Sequence, residues 1–309
     1  MSNAVQFTGV LGESEVTFPP ASYGSNSRTL MPSAMPLVQP AAPARAVCSV
    51  SLCRKRSPAY SDSTKIGRSM SFTLWRGVVG MVRPTRRPGT LEELIRILPE
   101  GIGIVPLLLN FKAGSIAEFQ KSIPQYERFV AELAEQGVDL IIASGAPPFM
   151  LLGYEGEAKL IRQWERKYRT QIVTDPQMQV AGLRAMGIKK FIGASYSAVQ
   201  NKIVLDYMAQ AGMKAVSMEP IDVPFDQVAQ ISTQMLYAHV KKLFREHPGA
   251  DGIYIQGGGW QTARVVEMLE MDLQVPVVHA TICQAWQIHK RLSVRETTPG
   301  FGRLLAELP

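Results

Sequence analysis

Cysteine and histidine are both scarce in these 309 residues, at three and four respectively. Cys48, Cys53 and Cys283 are too few and too badly spaced for a disulfide framework or a zinc site, so no metal centre is expected. Their low number suits a reducing cytoplasm. No apolar run reaches the ~18 residues that would suggest a membrane span; "GIGIVPLLLNF" (101–111) has the length of a buried strand. Charge is modest too. Of the net +7, residues 1–69 supply +4, with seven Lys/Arg against Glu13, Glu15 and Asp62, and the remainder carries only +3. No basic stripe marks a nucleic-acid partner.

What is present divides unevenly. Residues 1–69 are rich in Pro, Ser and Ala and sustain neither a 2-residue nor a 3.6-residue period. Such a composition buries too little apolar surface to offset its ordering entropy. A disordered tail, a spurious extension ahead of Met70, and a targeting segment are the readings open. From Trp75 onward, short Val/Ile/Leu-rich strands at 76–82, 101–108, 138–144, 170–174, 189–195, 213–218, 251–256 and 275–279 alternate with amphipathic helical patterns at 115–137, 156–169, 199–212 and 226–247. Near-continuous apolar strands separated by helices mean parallel sheets covered on both faces. The series repeats: "GVDLIIASGAPPFMLLG" (137–153) and "GADGIYIQGGGWQTARVVEML" (249–269) share the order helix end, strand, Gly-containing loop, helix. The expected fold is α/β, with two doubly wound Rossmann-like parallel-sheet domains, 70–186 and 187–309, related by a pseudo-twofold. The active-site cleft falls between them, and the C-terminal helix is free to pack back on the first domain.

Four stretches in that order carry a resemblance: "GVVGMVRP" (77–84), "ASGAPPFMLLG" (143–153), "GASYSAVQN" (193–201), and "IYIQGGGWQTARVVEMLE" with "VPVVHATICQAW". Together they resemble the maleate cis-trans isomerase and arylmalonate decarboxylase branch of the aspartate/glutamate racemase superfamily. The resemblance covers roughly 75–290. It implies cofactor-free acid/base chemistry on a small carboxylate, performed by cysteines on two facing loops, whose thiol pKa can be tuned toward neutrality. It also implies that backbone N–H groups, Ser/Thr hydroxyls and a tyrosine hold the carboxylate.

The chain departs from that pattern where the chemistry sits. The first cysteine position falls on Gly145, as in the decarboxylases, and the second on Gly257. Ala146 and Pro147 stand where hydroxyls would bind a carboxylate, and Cys283 falls inside a helix as a core residue. Two-thiol racemase chemistry is therefore not expected.

Other groups remain as candidates, each beside a plainer reading. Tyr196 follows a strand at the position that contacts substrate carboxylate in the family; loop capping is its alternative. Asn201 enters the first helical turn as a ligand contact or as a cap. Arg83, Arg86 and Arg87 in "RPTRRPG" form an anion clamp or a solvated loop. His279 closes "VPVVH" as the one histidine at a strand's ligand end, and imidazole is the usual acid/base near neutrality; a hydrogen-bonded loop histidine is the other reading. Gly258 and Trp260 complete the candidate loop, Trp260 as pocket wall or as packing. Asp175 in "VTDPQ" reads as a helix cap.

The function that fits is a cofactor-independent enzyme on a small carboxylic or dicarboxylic acid. It would be a decarboxylase, another lyase or an isomerase with a non-cysteine acid/base, Tyr196 and His279 being the catalytic candidates. The alternative is a non-catalytic homologue that only binds a small carboxylate. A nucleotide site is the third, weaker reading, since "GGGWQT" is neither G-x-G-x-x-G nor a P-loop. The partner is thus a small acid, with no nucleic acid and no membrane, and a homo-oligomer is left open.

Overall fold

Strands buried on both faces need helices above and below them, and the order of elements supplies them. The structure, a computed structural model, describes residues 73–309; the N-terminal segment 1–69, with Cys48 and Cys53, lies outside the described residues. The first half runs β1 (Gly77–Arg83), α1 (Thr90–Ile97), β2 (Ile102–Leu108), α2 (Ile116–Gln120), α3 (Ile123–Glu135), β3 (Leu140–Ala143), α4 (Ala146–Met150), α5 (Tyr154–Tyr168), β4 (Gln171–Thr174) and α6 (Asp175–Ala185). The second runs β5 (Lys190–Ser195), α7 (Ala198–Gln210), β6 (Lys214–Pro220), a 3₁₀ turn (Phe225–Gln230), α8 (Thr233–Glu246), β7 (Gly252–Ile255), α9 (Val265–Leu273), β8 (Val277–His279), α10 (Ala280–Arg291) and α11 (Arg303–Glu307).

The strands form two parallel four-stranded sheets, ordered β2-β1-β3-β4 and β6-β5-β7-β8. The orders are equivalent, so β1, β3 and β4 match β5, β7 and β8. This α/β architecture of two parallel sheets is the one read from the strand pattern.

Three local details differ from that reading. The helix expected over 115–137 breaks at Lys121–Ser122, where the Ser122 hydroxyl donates to the Phe119 carbonyl at 2.7 Å and Pro124 opens α3. The helix expected over 226–247 begins as the 3₁₀ turn. α8 starts only after Ser232, whose Oγ accepts from the Met235 N–H at 3.1 Å. The glycine triplet does not hand over directly to a helix, because α9 begins at Val265.

One continuous buried cluster joins the halves, running from Val79, Met81 and Leu94 through Met178 and Leu183 to Ile253, Val277 and Ile282. α6 and α10, the matched helices of the two halves, pack on each other, and α10 also meets α1. Gly182 permits this approach, since a Cβ there would lie 2.7 Å from the Cys283 Sγ. Cys283 is fully buried, as its helical position suggested. A second cluster, including Tyr126, Val130, Phe149 and Trp164, fills the space under α3 and α5.

Candidate active site

In parallel α/β sheets, ligands sit outside the carboxyl ends of the strands. Here those ends deliver Arg83 from β1, Ser144 and Gly145 after β3, and Asp175 after β4. From the other sheet come Tyr196 after β5 and Gln256 and Gly257 after β7. All of them line one cleft of about 620 Å³, its open mouth included.

Gly145 and Gly257 occupy matching places, two residues past their strands, and both have positive φ, at 107° and 97°. Gly145 is held from above by Tyr126, whose hydroxyl donates to the Ser144 carbonyl at 2.5 Å. A Cβ on Gly145 would come within 2.6 Å of that Tyr126 oxygen, and one on Gly257 within 2.3 Å of the Tyr196 ring. Gly258 is different, for its nearest neighbour would be the Thr281 Oγ1 at 3.9 Å.

Asp175 was read as a helix cap, but Thr174 takes the cap position and Asp175 is the first residue of α6. Its carboxylate accepts the Gly145 N–H at 2.7 Å and the Gln284 Nε2–H at 2.8 Å, the latter reaching over from α10. Burial raises the Asp175 pKa above the ordinary carboxyl value, opposed by these two hydrogen bonds and by the Arg83 charge. Arg83 is itself buried, with Nη2 donating to Thr90 Oγ1 at 2.5 Å. Burial lowers its pKa while Asp175 and Glu92 act to raise it. Arg87 lies over the Phe225 ring, 4.1 Å from its centroid, and donates to the Phe225 carbonyl. Phe111, Phe119 and Phe225 give the cleft an apolar wall.

Of the residues singled out in the sequence, Gly145, Ala146, Pro147, Tyr196, Gly257, Gly258 and Arg87 line the cleft together. Tyr196 packs edge-on to Trp260 with centroids 5.3 Å apart, and burial raises its hydroxyl pKa against the pull of Arg87. Trp260 is fully buried behind it and is not part of the cleft lining. Asn201 ties β5, α7 and β6 together, accepting from Ser195 Oγ at 2.6 Å and donating to the Met218 carbonyl at 3.2 Å. Arg86 points to solvent.

His279 also stays out of the cleft. Its Nδ1 accepts the Thr281 N–H at 3.1 Å, capping α10, which leaves Nε2–H to donate to Thr262 Oγ1 at 3.3 Å. Full burial pulls its pKa down to about 3, so the ring is neutral and both nitrogens are engaged. The strand-end rule located its backbone correctly and said nothing of where the ring turns.

Sequence reasoning missed Gln200, Gln256 and Gln284 and misassigned Asp175. For Asp175 and Gln256 a positional signal was present, since Asp175 immediately follows a predicted strand and Gln256 is the last residue of one. For Gln284, one turn into α10, and for Phe111, Phe119 and Phe225, no local pattern marks the role. Among the described residues no group of three or more His, Cys, Asp or Glu is placed to hold a metal ion. No helix among them is long and apolar enough to cross a membrane.

Two equivalent parallel sheets, with a strand-end cleft lined by arginines, a buried carboxyl and paired glycines, define an α/β protein. The chain belongs to the arylmalonate decarboxylase family, whose model matches residues 93–305. It is similar to arylmalonate decarboxylase of Bordetella bronchiseptica, at 25% identity over 129 residues. That match spans 41% of this chain and about half, 54%, of that protein. Among solved structures, the maleate isomerase Iso from Pseudomonas putida superimposes with a TM-score of 0.70 at 18% identity, covering 75% of this chain and 99% of that one. A double mutant of arylmalonate decarboxylase in its liganded form gives 0.70 at 20% identity, with the same coverage. The maleate cis-trans isomerase of Nocardia farcinica bound to TRIS gives 0.69 at 19%, covering 75% and 98%. At these identities the structural likeness speaks for the fold.

Proposed function

We propose that this protein is a cofactor-independent enzyme acting on a small carboxylic or dicarboxylic acid, as a decarboxylase or other lyase or as an isomerase, with Asp175 in place of a thiol as the proton carrier. The observation that carries the reading is the buried Asp175 carboxyl beside Arg83 in the cleft, where burial favours its protonated form. The relatives' names, a decarboxylase of arylmalonate and isomerases of maleate, support the substrate class. Gly145 and Gly257 stand at the two loop positions assigned to the family's cysteines, and Cys283, the one cysteine among the described residues, is buried away from the cleft.

For a malonate-type acid, Arg83 and Arg87 hold the carboxylate that is retained. As the bond to the departing carboxylate breaks, CO₂ leaves and its electron pair moves into the retained carboxylate, giving an enediolate whose added charge the arginines stabilise. The Asp175 O–H then protonates the α-carbon, and solvent returns a proton to the Asp175 carboxylate. Phe111, Phe119 and Phe225 accommodate an apolar substituent and thin the water around the developing charge.

The test is turnover of arylmalonates and maleate in D₂O, followed by CO₂ release and proton NMR. The expected outcome is deuterium at the α-carbon of the product, and a loss of at least 100-fold in kcat for Asp175→Asn with ligand binding retained. Unchanged turnover in Asp175→Asn removes Asp175 from the role. Among the described residues no thiol lines the cleft, which favours a second reading, a carboxylate-binding homologue without catalysis. Calorimetric binding of these acids with no turnover by the wild-type chain would establish that reading instead.

A further inference from the structure

The cleft holds more hydrogen-bonding capacity than its own residues use. Gln256, 1% exposed, has no partner for either end of its amide, and Gln200, 2% exposed, has none for its Oε1. Arg83 Nη1 is also buried without a partner. All three side chains line the cleft. Buried polar groups are costly when unpaired, so an orphaned set sharing one cavity outlines the polar groups of its ligand.

The set has a definite composition. Arg83 Nη1 offers a charged donor, suited to a carboxylate. Gln256, whichever way its amide is turned, presents one donor and one acceptor. Gln200 adds an acceptor. Carboxylates and carbonyls accept only, so a simple malonate leaves the glutamine oxygens unanswered. An ammonium group would answer them, but Arg83 and Arg87 disfavour a second cation here. The groups are also segregated: Arg83 and Asp175 come from the first half of the chain, Gln200 and Gln256 from the second.

We infer that the acid this cleft takes carries a neutral hydrogen-bond donor, a hydroxyl or an amide N–H, beside its carboxylate, with Gln256 and Gln200 reading the donor and Arg83 the carboxylate. The inference rests on the reading that the cleft binds a small carboxylate and narrows it to one class. Such acids are lost when the donor is missing, because a site built to pair a substrate O–H or N–H leaves buried groups unpaired without it.

The experiment is calorimetric titration of the full chain with two matched pairs, mandelate against phenylacetate and tartronate against malonate. The expected result is at least tenfold tighter binding of the hydroxyl-bearing member in one or both pairs. Gln256→Met should shrink that preference to within about twofold while leaving the donor-free acid's affinity unchanged or improved. Gln200→Met, checked like the first variant for a native circular dichroism spectrum, serves as the second test if Gln256→Met does not fold. Equal binding within both pairs, or a preference that survives both variants, overturns the inference and leaves the carboxylate reading standing. Binding of an amino acid such as phenylglycine more tightly than mandelate overturns the neutral-donor assignment. If none of the four acids binds, the carboxylate reading itself falls, and this inference with it.

Discussion

Three cleft glycines differ in how strictly the backbone and its neighbours require glycine, and substitution separates them. At Gly145 and Gly257 the backbone has positive φ and a side chain would meet Tyr126 or Tyr196. At Gly258 neither restriction applies. Gly257→Cys is therefore expected to destabilise the protein by about 2–4 kcal/mol, combining backbone strain with overpacking, and Gly258→Cys by less than about 1 kcal/mol. Chemical denaturation reads both. Gly258→Cys should also be carbamidomethylated by iodoacetamide far faster than Cys283, whose thiol is buried and has its pKa pushed up by desolvation, with peptide mapping to separate the sites. A folded Gly258→Cys protein whose new thiol stays unlabelled would mean that the loop does not face the cleft. The same burial of Cys283 predicts that turnover by the unmodified chain survives alkylation, and inactivation prevented by a bound acid would argue for a thiol in the site.

Between elements, Glu157 is the most telling contact. It sits fully buried on α5, an otherwise charged helix, and accepts hydrogen bonds from Thr174 at the end of β4 and Tyr207 on α7. Burial lifts its carboxyl from 4.5 to about 7. The folded state thus holds this proton more tightly than the unfolded chain does. Its contribution is full below pH 4.5, falls as pH rises toward 7, and stays at the lower value above that, a change of roughly 3 kcal/mol. Glu157→Gln should remove that slope, and the difference between variant and wild-type unfolding free energies cancels the other titrating groups, His279 among them. A difference that does not vary with pH would show that Glu157 ionises alike in both states.

Such contacts mark the limit of what was legible beforehand. The strands could be read because burial on both faces writes continuous Val/Ile/Leu runs into the chain, and the repeated strand–Gly-loop–helix order exposed the two halves. The breaks in the helices depend on single hydroxyls inside unbroken amphipathic patterns, Ser122 bonding back to the Phe119 carbonyl and Ser232 capping α8. In the cleft, Gly145 and Gly257 were readable as loop glycines at strand ends. The strand-end position of Asp175 was readable too, but its surroundings were not, because the Gly145 N–H and the Gln284 amide that it binds come from 30 residues before it and 109 after it. For His279 the converse holds: its position was plain, and its partners Thr281 and Thr262 were not.

On the scale of the whole molecule, the cleft draws its lining from both sheets, so an acid bound there would tie the halves together. Saturation at 100 times Kd should add about 2.7 kcal/mol to the unfolding free energy, or a few degrees in Tm for a domain of this size, measurable by scanning calorimetry. Arg83→Ala should abolish the shift, and a shift of the same size in that variant would place the acid elsewhere. The matched halves also differ in one respect. β4 passes through Thr174 to Asp175 at the start of α6, whereas β8 passes through His279 to Ala280 at the start of α10. The strand orders are equivalent, yet the carboxyl stands on one side only, with alanine at its counterpart. A planar enediolate lying between the halves would be offered a proton from a single direction. The product of a prochiral aryl-substituted malonate should then form with one enantiomer in large excess, as chiral chromatography would show, whereas a racemic product would mean that the proton comes from open solvent. Handedness in the product would trace to the difference between an aspartate and an alanine at equivalent ends of two similar sheets.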